Sequence, residues 1–64
     1  MKRTKLIKHL TKNGCHLLRE GRNHSVFYNP NTGKISTIPR HSEVKQFTAE
    51  KICKDLDVII PSGK

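Results

Sequence analysis

The residue in this sequence best suited to acid–base chemistry is His24, one of four histidines in the chain. It follows a glycine-containing turn at the start of a predicted strand, and the predicted hairpin places Arg19, Arg22 and Lys34 near it. An imidazole titrates near neutral pH, so His24 can accept or donate a proton where lysine and arginine cannot. His24 beside several cations is therefore the candidate catalytic group.

The reaction that such a group could catalyse is the cleavage of RNA, because RNA carries its own nucleophile in the 2′-hydroxyl. A positioned base that removes the hydroxyl proton promotes attack on the adjacent phosphorus, and nearby cations stabilise the charge that develops. This chemistry needs no metal, and acid–base catalysis contributes about 10²–10⁴-fold. Spacing alone leaves a second interpretation open, in which His24 is an ordinary half-exposed strand histidine.

The other histidines and the two cysteines do not form a recognisable metal site. His9 in a predicted helix and His16 in a predicted strand have no acidic or cysteine neighbour in sequence, so we interpret both as surface or boundary residues. Cys15 and Cys53 do not form a C-x₂₋₄-C pair, which argues against zinc. Because residues 1–14 contain no continuous apolar segment, we expect a reduced, cytoplasmic setting with both cysteines as small buried hydrophobes. We expect no cofactor.

Positive charge is concentrated in the part of the chain that contains the histidines. The net charge is +8, with 13 lysine and arginine residues against five acidic residues. Residues 1–42 hold nine basic residues and one acidic residue, Glu20, whereas residues 43–64 hold four of each sign. This imbalance indicates a polyanionic partner, and we favour nucleic acid over a merely basic soluble surface. No segment combines a basic face with exposed apolar residues, which argues against membrane binding.

Two amphipathic helices are predicted, one near each end of the chain. Thr4 is expected to cap the first helix, whose apolar stripe begins at Leu6, and Gly14 is expected to end it. Thr48 is expected to cap the last helix. The buried stripe of that helix has the spacing i, i+3, i+4 and i+7 and consists of Ala49, Ile52, Cys53 and Leu56.

Three short strands are predicted between the helices, over residues 15–20, 23–29 and 34–39. Gly21-Arg22 is a predicted tight turn, and residues 29–33 (Asn-Pro-Asn-Thr-Gly) form the strongest turn signal in the chain. Short links between consecutive strands indicate an antiparallel meander. Phe27 and Tyr28 must point to opposite faces, so one is expected in the core while the other could stack on a base.

Together these elements predict an α+β domain with a two-layer α-β-β-β-α arrangement, in which both helices cover one face of a three-stranded antiparallel sheet. This arrangement resembles the double-stranded-RNA-binding fold and leaves the other face open to solvent. A chain of 64 residues buries only about 60% of the surface of its unfolded form. We therefore expect a single domain over residues 1–64, an irregular tail at residues 57–64, and an exposed site instead of an internal cavity.

An ordered series of short motifs extends over nearly the whole chain. It comprises residues 6–10, Asn13-Gly14, Arg19, His24, Phe27, Asn29-Pro30, Pro39-Arg40-His41, Glu43-Val44 and residues 52–54. In this order the sequence resembles the HicA family of toxin mRNA interferases, also called YcfA-like proteins. In that family a first-strand arginine is matched by Arg19, and the catalytic histidine of a Gly-Ser-His turn is matched by His24.

The sequence departs from the family pattern at two places. The turn is Gly21-Arg22-Asn23-His24, so the glycine comes one residue early and asparagine replaces the usual serine. Asp57 stands where a glycine is common after the last helix. The histidine keeps its place, but the family pattern does not predict the geometry of the turn before it.

The resemblance implies a double-stranded-RNA-binding-like fold, mRNA cleavage that is ribosome-independent or linked to translation, and neutralisation by a HicB antitoxin. We predict that His24 is catalytic and that RNA is bound by Arg19, Arg22, Lys34, Arg40 and His41. His41 could be a second proton-transfer group, but we favour a role in loop structure. Two other functions stay open, namely a non-catalytic RNA-binding module and a small basic ribosome-associated protein.

Overall fold

The helices and strands follow one another in the order that the sequence predicts. The computed structural model describes residues 1–61. Its elements are α1 (Arg3–Lys12), β1 (His16–Glu20), β2 (His24–Asn29), β3 (Lys34–Pro39) and α2 (Gln46–Asp55). The strands form one antiparallel sheet in the order β1-β2-β3. The α+β class and the double-stranded-RNA-binding-like arrangement are confirmed.

One hydrophobic core joins both helices to one face of the sheet. Leu6 and Leu10 of α1 belong to it, as do all four residues of the stripe predicted for the last helix. The sheet contributes Phe27 and Ile38. Phe27 is only 5% exposed, whereas the neighbouring Tyr28 is half-buried on the other face of the sheet, so the predicted split between these two aromatic residues is confirmed.

Both helices begin before their predicted caps, and the prediction that Thr4 and Thr48 act as caps is wrong. The helices start directly after Lys2 and Lys45, and neither of these residues makes a side-chain cap hydrogen bond. At α1 a tertiary contact replaces the cap, because the first amide of the helix donates to the Ser42 carbonyl oxygen at 2.9 Å. Both threonines therefore lie inside the first helical turn.

The two links of the sheet are tight turns, and one strand keeps its predicted bounds. β1 begins at His16 and β2 at His24, each one residue later than predicted, whereas β3 is as predicted. In the first turn the Gly21 amide donates to the His24 carbonyl oxygen at 2.7 Å. In the second, Gly33 donates its amide to the Asn29 carbonyl oxygen at 2.7 Å with a φ of 77°, a conformation that glycine adopts readily.

A bulge in β1 determines which side chains of that strand face the helices. The register shifts between Leu17 and Arg19. After the shift Arg19 pairs with Val26, and Glu20 pairs with Ser25. Because side chains alternate between the two faces along a strand, one inserted residue moves every later side chain of that strand to the opposite face. Arg19 therefore lies on the uncovered face of the sheet, and Glu20 lies on the helix side.

The chain after α2 is irregular as far as it is described. Val58 is buried, whereas Ile59 and Ile60 are exposed. Residues 62–64 of the predicted tail lie outside the described residues. Within residues 1–61 the helices are too short and too polar to cross a membrane.

Candidate functional site

His24 opens β2 at one end of the sheet face that the helices leave uncovered. Its side chain is exposed and alternates with that of Ser25, which is fully buried on the helix side. Across the sheet His24 pairs with Pro39, the last residue of β3. The imidazole is therefore accessible to a large substrate such as a nucleic acid strand.

Two of the predicted cations lie at the His24 end of the sheet, and the third does not. Arg19 shares the uncovered face and pairs with the residue two positions after His24, while Arg22 is exposed in the preceding turn. Lys34 pairs with Asn29, five residues along β2, which at about 3.3 Å per residue is roughly 17 Å from His24. The expectation that Lys34 lies near His24 is wrong, because the antiparallel register puts the start of β3 at the opposite end of the sheet.

Arg40 and His41 follow β3 at the same end as His24. The Arg40 amide donates to the Asn23 carbonyl oxygen at 3.3 Å, so this loop lies beside the turn that precedes His24. The Arg40 guanidinium pairs through Nη2 with Oε1 of Glu20, on the helix side of the sheet. His41 is exposed in the loop. The end of the sheet thus has Arg19 on the His24 face and Arg40 at its margin.

A chain of polar contacts that sequence reasoning missed lies beneath this end of the sheet. Arg3 donates from Nη2 to Oγ of Ser25 at 2.6 Å and from Nε to the Pro39 carbonyl oxygen at 3.0 Å. Ser25 in turn donates to Oε1 of Glu20 at 2.9 Å, the same oxygen that pairs with Arg40. The sequence contains one sign of these contacts, because Glu20 is the only acidic residue among residues 1–42.

An aromatic pair lies on the uncovered face, further along the sheet from His24. The rings of Tyr28 and His16 have their centroids 5.9 Å apart at an interplanar angle of 45°. His16 is exposed, and His9 is partly buried with Nε2 2.8 Å from the Ile59 carbonyl oxygen. The prediction that these two histidines are surface or boundary residues is confirmed. Tyr28 is half-buried on this face.

The two thiols are poorly suited to act as nucleophiles. Cys15 and Cys53 are free and fully buried, as predicted for small hydrophobic core residues. Burial raises the pKa of both thiols, and at Cys53 the neighbouring Cys15 and Glu50 raise the pKa further. Protonated thiols without solvent access react slowly. No group of three or more histidine, cysteine or acidic residues within residues 1–61 is arranged to hold a metal ion.

A comparison with protein-family models gives a match over most of the chain. The matching model is described as the HicA toxin of bacterial toxin–antitoxin systems, and it covers residues 3–58. Comparisons with curated proteins and with solved structures gave no match. The matched range includes both helices, all three strands and every residue of the candidate site.

Proposed function

The chain belongs to the HicA toxin family of bacterial toxin–antitoxin systems, and from this premise we propose that it is a metal-independent endoribonuclease that cleaves mRNA with His24 as its catalytic base. One observation carries the proposal. The exposed imidazole of His24 stands at the end of the uncovered sheet face, with Arg19 on the same face and Arg22 in the adjoining turn. A titratable group beside fixed cations is what cleavage at a phosphodiester requires.

In the proposed reaction His24 removes the proton from the 2′-hydroxyl of the RNA. The resulting oxyanion attacks the adjacent phosphorus, the bond from phosphorus to the 5′-oxygen breaks, and the leaving oxygen takes a proton from water. The upstream product then ends in a 2′,3′-cyclic phosphate. Guanidinium groups stabilise the negative charge that develops on the phosphate oxygens. Because the substrate supplies the nucleophile, an exposed site on a small domain is sufficient.

Incubation of the protein with single-stranded RNA in EDTA tests this function. We expect cleavage at an undiminished rate and a 2′,3′-cyclic phosphate on the upstream product, because the proposed base and cations are all side chains. Loss of cleavage on chelation would contradict metal independence. Binding of RNA without any cleavage would instead support a non-catalytic RNA-binding module, which the basic charge also favours.

We propose that the RNA backbone runs past His24 in contact with Arg19, Arg22, Arg40 and His41, and that a longer strand reaches Lys34 at the far end of the sheet. The excess of basic residues in residues 1–42 supports this path. Tyr28 on the His24 face supports stacking of one base beside this path, worth roughly 1–3 kcal/mol.

The salt dependence of binding tests this path. Arg22→Ala should weaken binding to all RNA sequences alike, because phosphate contacts position a strand without reading its bases. It should also lower the slope of log K against log salt by about 0.7 for a single strand. Lys34→Ala should lower the slope only for RNA long enough to reach it, roughly 17 Å from His24. Unchanged slopes in both variants would indicate a different path, such as the lysines of α1 at positions 5, 8 and 12.

Membership of a toxin–antitoxin family implies an antitoxin partner. We propose that this partner is similar to HicB and covers His24 together with the basic hairpin, so that it blocks RNA sterically. A net charge of +8 favours rapid association with an acidic surface. Antitoxin added to a complex of His24→Ala with labelled RNA should release the RNA, and a stable ternary complex would contradict the proposal.

Because its proposed substrate is mRNA, we place the protein in the cytoplasm.

A further inference from the structure

Glu20 is the single negative charge within the basic two thirds of the chain, and it lies at the end of the sheet where RNA would bind. A carboxylate there weakens the long-range attraction for a polyanion. Glu20 is not simply solvated, however, because its Oε1 accepts a hydrogen bond from Ser25 and pairs with the Arg40 guanidinium. Its negative charge is therefore partly offset by the Arg40 guanidinium.

The Glu20 carboxylate is held from the helix side of the sheet by a series of hydrogen bonds. Ser25 is fully buried and accepts a hydrogen bond of 2.6 Å from Arg3 before donating to Glu20 at 2.9 Å. Arg3 is itself anchored, because its Nε donates to the Pro39 carbonyl oxygen. The position of the Glu20 carboxylate is thus determined by α1, β2 and β3 together. A hydrogen-bonded chain of this kind limits the rotamers of its members.

The outer end of this series of hydrogen bonds is the Arg40 side chain, which is 47% exposed. A guanidinium has five N–H donors in a planar fork, and the pair with Glu20 leaves others free to meet a phosphate. The Arg40 backbone lies beside the turn before His24, because its amide donates to the Asn23 carbonyl oxygen. Glu20 on β1 and the Arg40 backbone after β3 therefore fix this guanidinium from both sides of the His24 strand.

We propose that Glu20 is a positioning residue that holds the Arg40 guanidinium at the helix-side margin of the sheet end that carries His24, where it contacts the backbone of the bound RNA. The proposal rests on the proposed ribonuclease function and assigns Glu20 no contact with the substrate. The proposal predicts separate effects of Glu20 on RNA binding and on the rate of cleavage. Removal of a negative charge should strengthen RNA binding, whereas loss of a positioning residue should slow cleavage.

Glu20→Gln is the decisive variant, because the amide oxygen can still accept from Ser25 while the charge-assisted pair with Arg40 becomes a weaker, neutral hydrogen bond. We expect kcat to fall about 10- to 100-fold, while the RNA dissociation constant, measured in a His24→Ala background, stays equal or decreases. Asp57→Asn is the matched control. It removes one negative charge at an exposed residue outside the site. Asp57 has a φ of 58°, a conformation that asparagine tolerates. This control should leave kcat unchanged.

A double-mutant cycle with Arg40→Ala separates positioning from a general effect on the fold. If Glu20 acts through Arg40, Glu20→Gln should have no further effect on kcat in the Arg40→Ala background, whereas independent losses would multiply. Cleavage by Glu20→Gln at the wild-type rate or faster, or multiplicative losses in the double variant, would overturn the positioning role while the wild-type activity stands. Wild-type protein that binds RNA and does not cleave it would overturn the proposed function itself, and the inference with it.

Discussion

His24→Ala is expected to abolish RNA cleavage and growth inhibition while leaving the fold and the RNA affinity nearly intact. The expected loss in kcat is about 10²–10⁴-fold, the range for removal of a general base. The fold should survive because the His24 side chain is exposed and lies outside the hydrophobic core. The affinity should survive because the proposed phosphate contacts are made mainly by arginines. Single-turnover cleavage, RNA titration and thermal unfolding measure the three quantities separately.

His16→Ala is the matched control for this prediction. His16 is also an exposed strand histidine on the uncovered face, but it packs beside Tyr28 and is not proposed to take part in proton transfer. Its replacement can change RNA affinity, but it should leave the cleavage rate at saturating RNA unchanged. A well-folded His24→Ala protein that still inhibits growth would remove the catalytic assignment. Equal losses in kcat for both variants would show that the assay reports surface integrity instead of base catalysis.

The strands and the core stripe could be predicted from the sequence because local signals specify them. The turn at residues 29–33 fixes the hairpin of β2 and β3, and Gly14 ends α1 with a φ of 91°. The helix starts could not be predicted. Threonine caps are a local signal, but here the first amide of α1 is satisfied by the carbonyl oxygen of Ser42, a residue distant in sequence. A tertiary contact therefore outweighed the capping preference of Thr4.

The place of His24 at the start of the second strand could be predicted, but its surroundings could not, and the bulge in β1 explains why. Without the inserted residue, the pairing of Leu17 with Phe27 would continue so that Glu20 paired with His24. Arg19 would then lie on the helix side. Residue alternation in the sequence gives no sign of this insertion. The contacts of Glu20 with Ser25 and Arg40 depend on it, so they become visible only once the register is known.

The second large effect is expected for Gly21→Ala, because the turn before His24 has no room for a side chain. A Cβ at Gly21 would lie 2.9 Å from the His24 carbonyl oxygen, and that oxygen already accepts the Gly21 amide at 2.7 Å. Backbone atoms cannot move aside as a flexible side chain can, so the start of β2 must shift. A displacement of about 1 Å at a catalytic group can cost on the order of 10²-fold in rate. We expect a loss in kcat of that order with little change in RNA affinity. The same close approach accounts for a glycine at position 21.

Gly33→Ala distinguishes a displaced His24 from a merely weakened fold. A Cβ at Gly33 would meet nothing within 4 Å, but the φ of 77° there disfavours any residue other than glycine. This variant should therefore lower the unfolding free energy by about 1 kcal/mol without displacing the start of β2. Cleavage measured well below the unfolding midpoint of each variant should be near wild type for Gly33→Ala and strongly reduced for Gly21→Ala. If Gly21→Ala cleaves at the wild-type rate, then either the turn relaxes without moving the imidazole or the imidazole is not the base. The 2′,3′-cyclic phosphate assay on His24→Ala decides between these two explanations, because only the second predicts that cleavage continues without the imidazole.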